Sequence, residues 1–268
     1  MHIWDWFVAD HFQLAPQLSF GFSTLTKSPV AGANSPCDGD CYMQGAGGGA
    51  YSTAHNASSS TSATATGTNL YIQNYYSSGG GGVYILSRGF VLFDTSSLTS
   101  GATISGAVMS LWAVYRTEAN AGQAVIHIVA STPANTNNIV ADDYDQTGST
   151  SFASSAVTTA QYNNFTLNAS GITNVSKTGI SKFGIRLDGD LNSSTPTGAN
   201  EVDIRAADYT TPGQEPYLVV TYTSTIGIQL NIADSWKQAT AVKVNIGDAW
   251  KPVTKAQINI GDIWKSIF

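Results

Sequence analysis

Between residues 69 and 222 the chain returns repeatedly to short runs in which apolar and polar side chains alternate. Such runs fall at 69–75, 83–86, 88–93, 107–115, 124–129, 164–167, 182–187, 201–205 and 217–222. A period of two puts successive side chains on opposite faces of an extended chain, so each run reads as a half-buried strand. Val, Ile, Thr, Tyr and Phe fill these runs, while Gly, Asn, Asp and Ser fill the gaps as turn formers. Only residues 169–178 suggest a helix, with Ile172 and Val175 at helical spacing. Lys and Glu are scarce and charged residues make up 11% of the chain, which disfavours long exposed helices. Many short strands with almost no helix between them predict an all-β chain with a jelly-roll β-sandwich as its main unit.

The C-terminus carries a second constraint. Asn231-Ile-Ala-Asp-Ser-Trp236-Lys237 recurs as Asn245-Ile-Gly-Asp-Ala-Trp250-Lys251 and as Asn259-Ile-Gly-Asp-Ile-Trp264-Lys265, with a strict 14-residue period. Each copy reads strand, two-residue turn, strand. Gly247-Asp248 between alternating runs is a hairpin signal, whereas Ala233-Asp234 in the first copy accepts positive φ less readily. Three tandem β-hairpins of this size have little core of their own, so they need a partner. The Trp residues serve as the core of a compact three-lobed cap, as the contact surface for oligomerisation or virion attachment, or as stacking platforms for a sugar. The stretch 226–268 holds five Lys against three Asp, in a chain whose net charge is −6.

These signals divide the chain into an N-terminal arm (1–22), a sandwich domain (23–225) and the repeats (226–268). The arm is aromatic-rich, with Trp4, Trp6, Phe7, Phe12 and Phe20. It either packs on its own domain or inserts Trp4 and Trp6 into a neighbour. Residues 52–66 form a Ser/Thr/Ala run, readable as a meandering loop or a Thr-rich strand.

Three segments carry a family resemblance. Arg88-Gly-Phe-Val-Leu-Phe-Asp-Thr-Ser-Ser-Leu98, Gly101-Ala-Thr-Ile-Ser-Gly-Ala-Val-Met-Ser-Leu111 and Glu215-Pro-Tyr-Leu-Val-Val-Thr-Tyr222 resemble the start and end of DNRLRE-type domains. Those are β jelly rolls related to carbohydrate-binding modules. Tyr162-Asn-Asn-Phe-Thr-Leu-Asn-Ala-Ser-Gly-Ile172 and Ile180-Ser-Lys-Phe-Gly-Ile-Arg-Leu187 resemble a variant found in phage and bacterial surface proteins. The resemblance spans roughly residues 69–223 and rests mostly on core and turn positions, which inform fold more than ligand. The Asn-Ile-Gly-Asp-x-Trp-Lys copies resemble the C-terminal tandem repeats of phage tail-associated proteins. Jelly rolls of this kind often hold a structural calcium, which draws attention to Asp188 and Asp190 in Asp188-Gly-Asp-Leu-Asn192.

Chemistry-bearing motifs are sparse. The sequence contains no nucleophile elbow, phosphate loop or zinc-protease signature. His2, His11, His55 and His127 are scattered, and His127 alternates with its apolar neighbours as a strand residue would. Acidic clusters at Asp38/Asp40, Asp142/Asp143/Asp145 and Asp188/Asp190 read first as turn residues. Each supplies too few oxygens to hold calcium alone. Cys37 and Cys41, spaced by Asp-Gly-Asp, are candidates for a small disulfide loop. The aromatic pool for stacking on a sugar is Tyr71, Tyr75, Tyr76, Trp112, Tyr144 and Tyr209, with Tyr75–Tyr76 favoured because they adjoin a glycine run.

The charge balance excludes non-specific nucleic-acid binding, which needs clustered cations. No stretch approaches the length of an apolar membrane span. The first ten residues lack the basic and uninterrupted apolar segments of a secretion signal, and release by lysis would satisfy an extracellular role. The expectation is a non-enzymatic virion structural protein of phage-tail, fibre or capsid-decoration type. It would require no cofactor, associate with other virion proteins, form a homo-oligomer (a trimer favoured) and bind a cell-surface glycan. A carbohydrate-binding bacterial adhesin without a virion role is the alternative.

Overall fold

A computed structural model describes residues 23–224 and, beyond them, the backbone of six short strands between residues 229 and 266. In chain order the first part contains β1 (Ser23–Lys27), β2 (Asp38–Gln44), α1 (Tyr51–His55), β3 (Ser62–Thr64), β4 (Asn69–Ser77), β5 (Val83–Asp94), β6 (Ala102–Glu118), β7 (Ile126–Ala130), β8 (Ala153–Ser155) and β9 (Gln161–Thr166). It continues through α2 (Ala169–Thr173), β10 (Ile180–Leu187), α3 (Asp188–Leu191), β11 (Ala199–Arg205) and β12 (Tyr217–Ser224). The strands run in the order β1-β12-β6-β11-β4-β5-β10-β7-β8, with β2 joined to β3 and β5, and β9 joined to β6. The all-β expectation is met.

Two long strands let this network curl into sandwich-like layers. Strand β5 pairs with β4 through Val83–Ser87 and with β10 through Gly89–Asp94, while β2 runs along much of its length. Strand β6 is longer than the expected 107–115 and divides its partners similarly: residues 108–113 face β9 and residues 113–118 face β11. A strand of this length can leave one neighbour for another as the sheet twists. The alternation read from sequence holds at the core. Leu70 and Ile72 of β4, Val202 and Ile204 of β11, and Met109, Leu111 and Ala113 of β6 are all buried. The runs 83–86 and 88–93 merge into one strand, because Ser87 between them is buried and donates to Gln73 Oε1 at 3.1 Å.

Helix α2 is shorter than expected. Asn168 caps its start by accepting from Gly171 N at 3.0 Å, and the helix ends at Thr173, followed by Asn174. The Ser/Thr/Ala run contributes the short strand β3 and, ahead of it, α1 supplies a turn of helix that the alternating pattern does not signal.

The sandwich unit comprises Thr24–Ser100 and Ile104–Tyr222. The C-terminal repeats belong to a second compact unit, which begins at Thr223 along this part of the chain. Here β13 (Gln229–Ile232) pairs with β14 (Ser235–Gln238), β15 (Lys243–Ile246) with β16 (Ala249–Pro252), and β17 (Gln257–Ile260) with β18 (Ile263–Ser266). The register is the same each time: Asn231 opposite Trp236, Asn245 opposite Trp250, Asn259 opposite Trp264. The 14-residue period thus corresponds to one antiparallel ladder per copy. The connecting dipeptides and the side chains of Trp236, Trp250 and Trp264 lie outside the described residues, as do Trp4, Trp6 and the whole N-terminal arm.

Candidate functional site

One face of the sheet carries an ordered set of polar and aromatic side chains. Strand β11 lies between β4 and β6. Its inward residues Val202 and Ile204 are buried, so Glu201, Asp203 and Arg205 point the other way. Asp203 stands opposite Tyr71 on β4 and Tyr115 on β6, and Glu201 stands opposite Gln73 and Thr117. Cross-strand partners share a face, so the register produces a row Tyr71–Asp203–Tyr115 and beside it a row Gln73–Glu201–Thr117. Tyr71 and Tyr115 are 43% and 47% exposed. Strand spacing sets these two residues roughly 10 Å apart with a carboxylate between.

Hydrogen bonds fix the polar groups. Gln73 Nε2 donates to Glu201 Oε1 at 2.6 Å while its Oε1 accepts from Ser87, so the amide is held at both ends. Arg205 Nη1 donates to Asn69 Oδ1 at 2.8 Å and its guanidinium lies 3.6 Å over the ring of Tyr209. Asp40, from β2, accepts from the backbone N–H of Tyr71 at 2.7 Å. With Tyr42, Tyr71, Gln73, Glu201 and the chain at 62–64, Asp40 lines a cleft of about 380 Å³.

This face is acidic and partly desolvated. Burial pushes the Asp40 carboxyl up to about 6, against the pull of the Tyr71 N–H. Burial and then the neighbouring Glu201 carboxylate push Asp203 up to about 7. Asp203 Oδ1 is buried without a hydrogen-bond partner. Farther along β2, Asp38 is 1% exposed and is likewise raised to about 7, chiefly by burial and then by Asp208. Carboxylates perturbed by burial and a neighbouring charge, with Asp40 in the wall of a cleft, make this face a functional-site candidate.

A second constellation lies inside the sandwich. Asp190 of α3 is fully buried and accepts from Arg88 Nε at 3.0 Å, Arg88 Nη2 at 2.8 Å and Arg186 Nε at 2.6 Å. Burial alone would raise its carboxyl, but the two guanidiniums hold it well below the usual carboxylate range. Arg88 also donates to the carbonyls of Tyr144 and His55 and stacks 4.1 Å from the Tyr144 ring centroid. Arg186 donates to the carbonyls of Gly148 and Asp190.

This arrangement corrects the calcium expectation. Asp190 has no free oxygen to offer a cation and sits between two positive charges. Asp188 Oδ1 is already engaged by His127 Nε2 at 3.1 Å and Asn192 Nδ2 at 2.9 Å. Among the described residues no cluster of His, Cys, Asp and Glu forms a metal site.

The disulfide expectation is corrected too: Cys37 and Cys41 are free, buried thiols. They flank an extended segment leading into β2, so four residues separate their Cα atoms by roughly 13 Å, beyond the reach of a disulfide. Both point into one cluster with Leu86, Phe90 and Tyr144, and Cys41 Sγ donates to the Val140 carbonyl at 3.3 Å. Burial raises their thiols to about 11 and about 12.

The favoured sugar pair also divides. Tyr75 and Tyr76 are successive strand residues, so they face opposite sides of the sheet, and both are half-buried. Tyr76 packs on Tyr84 with centroids 5.0 Å apart. Of the remaining pool, Tyr144 is fully buried and Trp112 is half-buried edge-on to Tyr162. Tyr71 alone joins the exposed row. Its partners Tyr115, Glu201 and Asp203 were legible only as strand residues, because their meeting depends on which strands adjoin. No protein-family model and no curated protein sequence matches this chain.

Proposed function

We propose that this chain is an attachment protein whose sandwich unit binds a surface polysaccharide through the face built by β4, β11 and β6. The observation that carries the reading is the Tyr71–Asp203–Tyr115 row beside Gln73–Glu201. Pyranose rings offer apolar C–H faces and hydroxyl edges. Two exposed tyrosines supply flat amphipathic rings for the former, and fixed carboxylates and an amide supply partners for the latter.

The role proposed is binding, not catalysis. A hydrolase pair flanks a scissile bond and takes separate roles as acid and as base or nucleophile. Glu201 is instead tied to Gln73 at 2.6 Å, and Asp203 neighbours it on the same face of one strand.

We further propose a virion setting, of phage-tail, fibre or capsid-decoration type, with a jelly-roll-like sandwich displayed outward. The repeats support this: three identical ladders suit assembly, whether with virion proteins or in a homo-oligomer, better than they suit a unique site.

Glycan-array binding by the purified chain tests the attachment reading. Tyr71→Ala and Tyr115→Ala are each expected to weaken the best ligand about tenfold, roughly 1.4 kcal/mol. Unchanged affinity in the double variant would refute it. Immunogold imaging of particles from the source culture tests the virion setting, and unlabelled particles would favour a bacterial adhesin.

A further inference from the structure

Beside α1 lies a second cleft, of about 490 Å³, a size typical of small-molecule sites. We propose that it binds a carboxylate-bearing saccharide, a uronate unit, as a subsite distinct from the sheet face.

The two clefts differ in charge. The one on the sheet face is lined by Asp40 and Glu201, whereas no carboxylate lines this one. Its floor is His55, whose Nε2 lies 2.8 Å from the Asp190 carbonyl and whose Nδ1 lies 2.7 Å from Asn56 Oδ1. Directly beneath, Arg88 Nη2 donates to the backbone carbonyl of His55 at 3.0 Å. Asp190 Oδ1 lies 3.4 Å from His55 Nε2, but Arg88 and Arg186 together outnumber it, so this buried trio carries one net positive charge. A charge held in the interior is screened far less than one on the surface, so its field reaches the cleft above it. Every guanidinium nitrogen already donates to a protein oxygen; the pair attracts a carboxylate by field, and the rim must supply the hydrogen bonds.

The rim can do so. Asn56, Ser193 and Thr195 are exposed side chains with free hydrogen-bonding capacity toward the opening. Ser193 sits at φ 54°, the left-handed region that a serine adopts only when the surrounding fold enforces it, and its Oγ lies 3.4 Å from His55 Nε2. Tyr84 forms a wall. Its ring is held by Tyr51 at 5.4 Å and Tyr76 at 5.0 Å, which fixes it as a platform for the apolar face of a sugar.

This subsite extends the proposed attachment function but does not rest on the sheet face, since Tyr71 and Tyr115 lie outside the cleft. The test is ligand-observed NMR on the full chain with D-glucuronate, D-glucose and inorganic phosphate. Glucuronate is expected to bind at least tenfold more tightly than glucose, to weaken with added salt and to resist displacement by equimolar phosphate. Thr195→Trp, an exposed substitution that fills the mouth, is expected to abolish binding, and Tyr71→Ala to leave it unchanged. Equal binding of glucose, equal competition by phosphate or retention in Thr195→Trp would overturn the proposal. Loss in Tyr71→Ala but not in Thr195→Trp would also overturn it, and would assign glucuronate to the sheet face instead.

Discussion

Replacing Asp190 with asparagine tests whether the buried ion cluster holds the sandwich together. The substitution keeps the shape and removes one charge. Three charge-assisted hydrogen bonds at 2.6–3.0 Å converge on the native carboxylate. An amide retains one acceptor oxygen and turns an NH₂ toward a guanidinium. Two buried guanidiniums are then left without a counter-ion. Removing one partner of such a pair costs about 3–5 kcal/mol, and charge-assisted bonds are worth about 1.5–3 kcal/mol each. A loss of about 4–5 kcal/mol is therefore expected, roughly a quarter or more of the stability of an ordinary domain. For a unit of this size that lowers Tm by roughly 10–15 °C. Urea unfolding followed by tryptophan fluorescence reads it directly. Asp188→Asn is the control: that side chain is 32% exposed and bonds only His127 and Asn192, so a loss below about 1 kcal/mol is expected. The two carboxylates are two residues apart in one turn, so equal losses would refute the reasoning. The sign of the pH dependence follows as well. Asp190 is depressed, so its contribution is fully present above the unfolded carboxylate range and drains only well below it. The cluster should outlast the protonation of ordinary carboxylates on acidification.

Asp38 should behave oppositely. Its carboxyl is raised from 3.8 to about 7, so the folded state holds the proton more tightly and stability falls as pH rises from about 4 to about 7. Asp38→Asn should raise stability by up to about 4 kcal/mol at pH 8 and by little at pH 4; a pH-independent effect in thermal melts would contradict this. Cys37 and Cys41 should resist a thiol reagent in the native protein and react only after denaturation, because burial holds both thiols protonated. Rapid native labelling would show the pocket to be open. Gly39→Ala should cost about 2 kcal/mol in a denaturant melt. An added Cβ would press on the Thr64 carbonyl and lie 2.8 Å from Ile139 Cγ1, and β3 is already paired to β2 there and cannot retreat. An unaltered melting curve would mean that this packing yields.

What the sequence revealed follows how far each signal reaches along the chain. Alternation is local, so the positions of β4, β6, β10, β11 and β12 were readable, and so was the period of the hairpins. Lengths were less so: β6 extends to seventeen residues because it serves several neighbours, which its own pattern does not encode. The site was hidden for the same reason. Glu201 and Gln73 are 128 positions apart, and only strand order brings them together. The Asp188/Asp190 pair misled because the decisive partner of Asp190, Arg88, is 102 positions away. Arg186, four residues before Asp190, was the available hint that this carboxylate already had a cation. Cys37 and Cys41 mislead because their spacing does not reveal that the segment between them is extended.

The strand order also decides how the sandwich bears mechanical load. Among the described residues its first strand, β1, has a single neighbour, β12, while β12 lies between β1 and β6. A tether pulling from the N-terminal side needs to peel only one ladder to free its strand. A tether pulling through the C-terminal side must strip β12 from ladders on both of its edges. The molecule is therefore built with a weak handle and a strong one, and the repeats hang from the strong one. Force spectroscopy that pulls each terminus in turn against one internal attachment point should register that difference as a higher rupture force on the repeat-bearing side.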